Sequence, residues 1–400
     1  MIFPMSDNWW VEKDKAYFCG TRLSALFCVN MSSLQCELVA WLPESDMVDF
    51  FVHPYCVKYK DSIICLPGTG KEIWSYYIKK KVWKKTEINN DGQLILSKWS
   101  YSQTDGRIWL LEYDTGKILQ VDLDKKVVEK EFRLPRDGEK VSYGEYVLIQ
   151  NKLYTVAGKR VYCIDTKEMD VTIYEVSGVK TGLYTICYDG LNFWLGGYCK
   201  EIYIWNPKQG LIKVLTKFPV RFGIYHYHGT PDIDYSIFPY TTEEIPFFGY
   251  SFLLGKYVWY IPTQSNGIIY IDKETYEIHF LEIQEEWETK ESLDRDYASK
   301  FLFEYIREDR YIGIYSIQNQ QIFEVDTVML SVKYKDYELS ADAVLTLAKG
   351  FGQYDGRRMF REKKEKERLF FSTLLKANHA MNDIPLQNIG EQIYHTLDES

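Results

Sequence analysis

The stretch Ile268-Ile269-Tyr270-Ile271-Asp272 is one copy of a short pattern that recurs along the chain and decides the fold. The pattern is an apolar residue, a bulky apolar residue, any residue, another apolar residue and then Asp or Asn. Its clear copies end at Asn30, Asp122, Asp165, Asn206, Asp272 and Asp326. A weaker copy, Ile73-Trp-Ser-Tyr-Tyr77, fills the gap between the first and the second. Internal recurrence of this kind predicts a repeat protein.

The spacing and surroundings of the copies define the repeat. Successive copies end 47, 45, 43, 41, 66 and 54 residues apart, and roughly 40–50 residues is the period of a four-stranded propeller blade. A second apolar run lies upstream of each copy, such as Arg107-Ile-Trp-Leu-Leu111, and a turn pair such as Asp105-Gly106 precedes most of these runs. A further strand follows each copy, as in Val171-Thr-Ile-Tyr-Glu-Val176, and a fourth precedes the turn pair, as in Pro54-Tyr-Cys-Val-Lys-Tyr59.

These repeats determine the fold class. The 33 Tyr, 21 Phe and 11 Trp residues favour pleated, half-buried surfaces. Twisted open sheets rarely exceed about ten strands, whereas a radial arrangement protects many edges. An array of immunoglobulin-like domains needs about 100 residues per domain, which is twice the observed period. We therefore predict an all-β fold, a seven-bladed β-propeller of four-stranded antiparallel blades over residues 8–340.

The same region resembles the broad superfamily of kelch-type, galactose-oxidase-like and YVTN-type propellers in period and strand pattern. The kelch diglycine occurs once, as Gly196-Gly197, and the Gly-His and Trp-Asp landmarks of WD repeats do not occur in the copies. Propellers of this superfamily range from scaffolds and glycan binders to lyases and hydrolases, and no enzyme motif of theirs matches this chain. The resemblance therefore implies the fold and leaves the activity open.

The strongest candidate site lies where the repeat spacing lengthens, between the fifth and sixth copies. The stretch runs from Arg221 to Tyr235 and contains Arg221, His226, His228, Asp232 and Asp234. In an extended strand His226 and His228 share one face about 7 Å apart, so they could share a ligand. A His-x-His pair with a carboxylate suits either a zinc or iron site or an acid and base at neutral pH. The alternative is a loop that contacts a ligand or is purely structural.

Two other segments interrupt or follow the repeats. The acidic insertion 284–296 is predicted to be helical, as either a solvated face or a docking element. Residues 341–400 form a predicted C-terminal helical extension, with one helix from Arg357 and a second capped by Asn388. These helices pack on the propeller or on one another, or they dock a second copy or another protein, which makes an oligomer one expectation.

Charge and cysteine content narrow the partners. The net charge of −9 argues against a nucleic-acid partner. No apolar run reaches the roughly 18 residues of a membrane span, and the first residues do not form a signal peptide. The eight Cys form no CxxC pair, so we predict buried thiols in a reducing cytoplasm. No cofactor is expected, and His226 and His228 are only weak metal candidates.

The leading functional hypothesis is a cytoplasmic, non-catalytic binding or scaffold module that presents a propeller face to a protein, peptide or glycan ligand. The reasons are the abundance of aromatic residues, the insertions between blades and the helical extension. The alternative hypothesis is a propeller hydrolase or lyase. It would use His226 or His228 with Asp232 or Asp234 near the axis, with Arg221 holding an anionic substrate.

Overall fold

A computed structural model describes most of the repeat region and two short pieces after it. The described residues are 9–20, 23–43, 53–68, 72–86, 96–102, 106–112, 116–125, 127–135, 143–220, 222, 246–263, 265, 267–283, 301–316, 321–340, 342–343 and 346–347.

The described strands form seven sheets. In chain order they are β1 (Trp10–Glu12), β2 (Lys15–Cys19), β3 (Ala25–Asn30), β4 (Gln35–Trp41), β5 (Tyr55–Tyr59), β6 (Ser62–Leu66), β7 (Ile73–Tyr77), β8 (Val82–Thr86), β9 (Leu96–Ser102), β10 (Arg107–Glu112), β11 (Lys117–Asp122), β12 (Val127–Arg133), β13 (Tyr143–Ile149), β14 (Lys152–Ala157), β15 (Arg160–Asp165), β16 (Val171–Glu175), β17 (Leu183–Tyr188), β18 (Phe193–Gly197), β19 (Ile202–Asn206), β20 (Gly210–Leu215), β21 (Phe248–Leu254), β22 (Tyr257–Pro262), β23 (Gly267–Asp272), β24 (Ile278–Glu282), β25 (Phe301–Arg307), β26 (Tyr311–Ser316), β27 (Gln321–Asp326), β28 (Ser331–Asp336) and β29 (Glu338–Leu339).

Each sheet contains four consecutive strands joined in chain order, and β29 adds a fifth strand to the first sheet. The predicted repeat is confirmed, because the recurring pattern is the third strand of every sheet: β3, β7, β11, β15, β19, β23 and β27. The fold is thus all-β, with seven four-stranded blades, numbered one to seven along the chain. The predicted helical extension lies almost wholly outside the described residues.

The Asp or Asn that ends the third strand starts a turn, as predicted. The Oδ1 of Asp165 accepts hydrogen bonds from the backbone N–H groups of Lys167 and Glu168, at 2.9 and 3.2 Å. Equivalent pairs of bonds are made by Asn30, Asp122, Asp272 and Asp326. A side chain that caps its own turn fixes where the third strand stops and the fourth begins.

The chain divides into two compact units, Met1–Leu94 with Asp336–Ser400, and Ile95–Lys335. The first contains blades one and two. Its core includes the buried thiols of Cys19, Cys56 and Cys65 among aliphatic and aromatic side chains. In the same unit the ring of Tyr337 packs 5.4 Å from that of Trp9, so residues that precede β1 and follow β28 contact each other.

The second unit contains blades three to seven. Each of its main hydrophobic clusters joins two successive blades; Trp205 of blade five, for example, lies in one cluster with Tyr154 of blade four. The central strands are mostly buried, and β18 and β23 are buried at every residue, whereas no residue of the fourth strands β16 and β28 is fully buried. Burial on both faces explains why the central strands read as continuous apolar runs in the sequence.

The antiparallel order gives every blade two ends. We call the end at which the first strand begins the entry end; the connection from the second to the third strand also lies there. The opposite turn end carries the first hairpin and the capped turn after the third strand.

Candidate functional site

The residues predicted from sequence are not among those that the structure describes. Arg221, His226, His228, Asp232 and Asp234 all lie in the connection from β20 to β21, outside the described residues. Their roles as metal ligands or as acid and base therefore stay predictions. Among the described residues, no group of three or more His, Cys, Asp or Glu side chains is arranged to hold a metal ion.

The described part of the chain offers a different candidate, at the first strands of the second unit. In each of blades three to seven the register between first and second strands shifts by one residue, at Leu96/Lys98, Tyr143/Tyr146, Leu183/Thr185, Phe248/Tyr250 and Phe303/Tyr305. The corresponding pairs in blades one and two are regular. Such β-bulges bend a strand and redirect its side chains, and they are frequent beside binding sites.

The bulge of blade four carries Glu145. Its Oε2 accepts hydrogen bonds from the backbone N–H of Ser251, at 2.9 Å, and from the Ser251 hydroxyl, at 3.0 Å. Ser251 lies in the first strand of blade six, so Glu145 reaches past blade five. First strands that come so close are those that line a propeller axis. We call the start of the first strands of blades four to seven the axial entry.

The groups beside this carboxylate are a buried thiol and a buried phenol. Burial raises the pKa of the Cys187 thiol well above its usual value, and the charge of Glu145 raises it further. Burial likewise raises the pKa of the Tyr260 phenol, with smaller contributions from Cys187 and Glu145. A thiol and a phenol with raised pKa values stay protonated near neutral pH, so they are poor nucleophiles. The cluster is therefore suited to structure and binding.

Two glycines allow the axial entry to pack closely. A Cβ atom at Gly197 would overlap the backbone of Gly182, and one at Gly196 would lie 2.8 Å from the Thr185 hydroxyl. The diglycine noted in the sequence thus has a packing reason, because only residues without a Cβ let the second strand of blade five approach its first strand here.

Two pairs of half-buried aromatic side chains lie at the axial entry. Tyr184 lies 6.2 Å from Tyr198 in a T-shaped pair, and Tyr250 lies 5.2 Å from Phe303. All four remain partly exposed. We call these four side chains together with Glu145 the axial collar. Aromatic groups that are held rigidly but stay accessible form contacts at little cost in conformational entropy, which suits a binding surface.

Sequence reasoning missed this collar. Glu145 lies in Tyr143-Gly-Glu-Tyr-Val147, which reads as an ordinary strand, and its partner Ser251 is 106 residues away. The one local signal was Gly144: a Cβ there would overlap the backbone of Tyr184. A glycine inside a strand pattern indicates a bulge or a close backbone approach, and here it marks both.

The blades and their axial entry define the class of protein: a seven-bladed β-propeller. No protein-family model and no curated protein matches the chain. Three of the solved structures to which it is similar illustrate the range of proteins that resemble it in fold. A catalytically inactive virginiamycin B lyase from Staphylococcus aureus with quinupristin has a TM-score of 0.54 at 14% identity, covering 79% of this chain and 93% of the other.

The other two are a computationally designed protein, Ika8, and a chain of the mitotic checkpoint complex. The designed protein has a TM-score of 0.51 at 9% identity over 83% of this chain and 89% of its own. The checkpoint chain has a TM-score of 0.50 at 10% identity over 83% and 87%. A lyase, a designed protein and a component of a complex share this fold, so these similarities establish the fold alone.

Proposed function

We propose that this protein is a non-catalytic binding module that receives a peptide segment of a protein partner at the axial collar. The observation that carries the proposal is the set of half-buried aromatic side chains at the same end of the blades as Glu145: three lie on bulged first strands, and Tyr198 follows the second strand of blade five. Tyrosines on a rigid scaffold are typical of protein interfaces.

The chemistry of Glu145 and of the groups beside it supports binding over catalysis. General acid–base catalysis needs groups whose pKa values lie near the working pH. The pKa values of Cys187 and Tyr260 move away from neutrality, and Glu145 is engaged by two donors of Ser251. The hydrolase or lyase alternative depends on residues 221–234, and no observation on the described residues favours it.

The test is selection of random twelve-residue peptides on immobilised full-length protein. The collar variant is Tyr184→Ala with Tyr250→Ala. The matched control is Tyr188→Ala with Tyr257→Ala, which removes two half-buried tyrosines at the turn ends of the same two blades. We expect selected peptides to bind the wild type and the control similarly, and the collar variant at least about tenfold more weakly, because buried aromatic anchors carry much of an interface's energy.

A second measurement keeps the test valid if an alanine variant unfolds. A photoreactive phenylalanine analogue is placed at position 184 or at position 188 of the otherwise unchanged chain. Cross-linking of a selected peptide from position 184 and not from 188 supports the proposal. Equal cross-linking from both positions contradicts it, as does binding of neutral glycans at the collar without peptide binding.

The remaining parts of the proposal concern context. We also propose that the protein resembles kelch-type propellers in presenting a propeller face to its ligand. A cytoplasmic location and association through residues 341–400 are proposed together with this binding role. Seven of the eight Cys side chains are buried and all eight are free thiols, which fits a reducing compartment. Among the described residues no helix is long and apolar enough to cross a bilayer.

A further inference from the structure

Four lysines lie at the entry ends of blades four and five, on the same side of the second unit as the collar. Lys159 lies in the second hairpin of blade four, and Lys180 lies in the loop that enters blade five. Lys200 follows the second strand of blade five, and Lys217 follows its fourth strand. We call these four residues the basic rim. Lys159, Lys180 and Lys217 are exposed and Lys200 is half-buried.

The loops that carry the basic rim contact one another. The carbonyl of Gly158 accepts the N–H of Leu183 at 2.6 Å, and that of Gly182 accepts the N–H of Tyr198 at 3.2 Å. These bonds connect the loops of Lys159, Lys180 and Lys200 in sequence. The rim is therefore one continuous surface.

Lys217 is connected to this surface by aromatic packing. The Nζ of Lys200 donates to the carbonyl of Phe222 at 2.8 Å. The ring of Phe222 stacks 5.7 Å from that of Phe218, the residue after Lys217. The exit loop of blade five thus lies beside the loop of Lys200.

The described carboxylates at this end are all engaged, Glu145 of the collar by Ser251, and they leave positive charge accessible. Glu175 pairs with Arg160 of blade four. Glu201 is only 7% exposed and accepts bonds from Lys180 and from the hydroxyl of Tyr203, each at 2.5 Å. The Lys180 side chain nevertheless stays 74% exposed. A buried carboxylate holds this lysine in place while the lysine faces solvent.

We infer that the basic rim selects partners whose peptide segment is acidic. This inference rests on the proposed function, and it names the chemistry of that partner. The net charge of the whole chain is −9. A positive surface at the binding end is opposite in sign to this net charge, so it would steer an acidic partner to this end.

The arrangement favours an extended polyanion over one small anion. The four ammonium groups lie on four different loops across two blades, and neighbouring strands are already about 4.8 Å apart. Lysine is a point charge on a flexible stem, whereas sites for a single phosphate commonly use the bidentate fork of arginine. A segment with several Asp or Glu residues would reach several lysines in turn.

The test measures binding of a fluorescein-labelled decaglutamate peptide by fluorescence anisotropy, at about 50 mM and about 300 mM salt. The rim variant is Lys159→Glu with Lys217→Glu. The matched control is Lys167→Glu with Lys208→Glu, which makes the same charge change on exposed lysines at the turn ends of the same blades. We expect the rim variant to bind about tenfold more weakly or worse, and the control to stay within about twofold of wild type.

Three outcomes would overturn the inference. Equal weakening of both variants would mean that only net charge matters. Displacement of the peptide by millimolar inorganic phosphate alone would indicate a small-anion site. Binding of heparin without binding of decaglutamate would indicate a sulfated glycan partner.

The two proposals fail separately. Loss of decaglutamate binding with retained binding of neutral selected peptides at the collar overturns only the acidic preference. If no peptide binds or cross-links at the collar, the proposed function itself fails, whatever decaglutamate does.

Discussion

The carboxylate of Glu145 in blade four accepts two hydrogen bonds from Ser251 in blade six, at 2.9 and 3.0 Å, although 106 residues separate them. Because a hydrogen bond to a charged group contributes more than a neutral one, we expect Glu145→Gln to lower the free energy of unfolding by about 1 kcal/mol. Glu145→Ala leaves the Ser251 donors without this acceptor and should cost about 2–3 kcal/mol. Urea unfolding measures both.

A double-mutant cycle supplies the control for this pair. Ser251→Ala removes the hydroxyl donor, so its effect should be smaller in the Glu145→Ala background than in the wild type. Simple additivity of the two substitutions would show that the Ser251 hydroxyl does not interact with Glu145 in solution.

The ion pair of Lys256 with Asp272 predicts a dependence of stability on acid. The Lys256 ammonium at 2.8 Å, helped by two backbone N–H groups, lowers the pKa of Asp272 to about 2. The pKa of an Asp in the unfolded chain is about 3.9. The stabilisation from the charged Asp272 is therefore fully present above that pH and is lost as the pH falls towards about 2. Relative to Asp272→Asn, the wild type should be more stable at neutral pH and lose that advantage between about pH 4 and pH 2.

Chemical unfolding of both proteins across this pH range tests the prediction. Asn preserves the turn acceptor, so the comparison isolates the charge. Lys256→Gln should reduce the same pH dependence. A difference between wild type and Asp272→Asn that does not change with pH would contradict the assigned cause.

Tyr337 secures the last described strand to the first blade. Its hydroxyl donates to the Sγ of Cys36 at 3.2 Å, and its ring packs against Trp9 and Phe18. We expect Tyr337→Phe to cost about 1 kcal/mol and Tyr337→Ala about 3–5 kcal/mol in the free energy of unfolding. Tyr334→Ala, at a ring that is 45% exposed and packs on Phe323, is the control and should lower the free energy of unfolding by no more than about 1.5 kcal/mol.

The start of the C-terminal extension gives a prediction about truncation. The backbone N–H of Ala343 donates to the Ser340 hydroxyl at 3.1 Å, and the side chains of Ala343 and Leu347 are buried. Deleting everything after Ser340 should therefore cost about 2–3 kcal/mol, because Leu347 loses its burial. Deleting everything after residue 350 should preserve the stability of the remaining chain.

Thermal unfolding and light scattering on the two truncations separate stability from association. If residues beyond 350 mediate association, the protein that ends at residue 350 should be monomeric and as stable as the full chain. Marked destabilisation of that product would show that the rest of the extension belongs to the core.

The thiols predict a pattern of chemical reactivity. Burial raises the pKa of all eight Cys side chains, and Cys199 alone is half-exposed. Because the thiolate is the reactive form, native protein should react slowly with Ellman's reagent at pH 8, and Cys199 first. Cys199→Ser should remove this earliest phase, and an unchanged phase would contradict the assignment.

Much of the fold was predictable because it is local. The alternation of buried runs with capped turns repeats every few dozen residues, and Asp165 or Asp272 bonds to backbone two and three residues ahead. Gly106, in the predicted turn pair Asp105-Gly106, takes the left-handed backbone that tight hairpins require. Interactions of such short range leave a pattern that can be read along the chain.

The sequence by itself determined seven four-stranded repeats, their order and their turns, because each depends on neighbours within one blade. Only the tertiary structure decided that Glu145 meets Ser251, that the first strands of five blades are bulged and that four distant lysines form one surface. These features arise where separate blades approach one another. The side chains involved are far apart in sequence. The repeat pattern within one blade does not show which residues of another blade its side chains will contact.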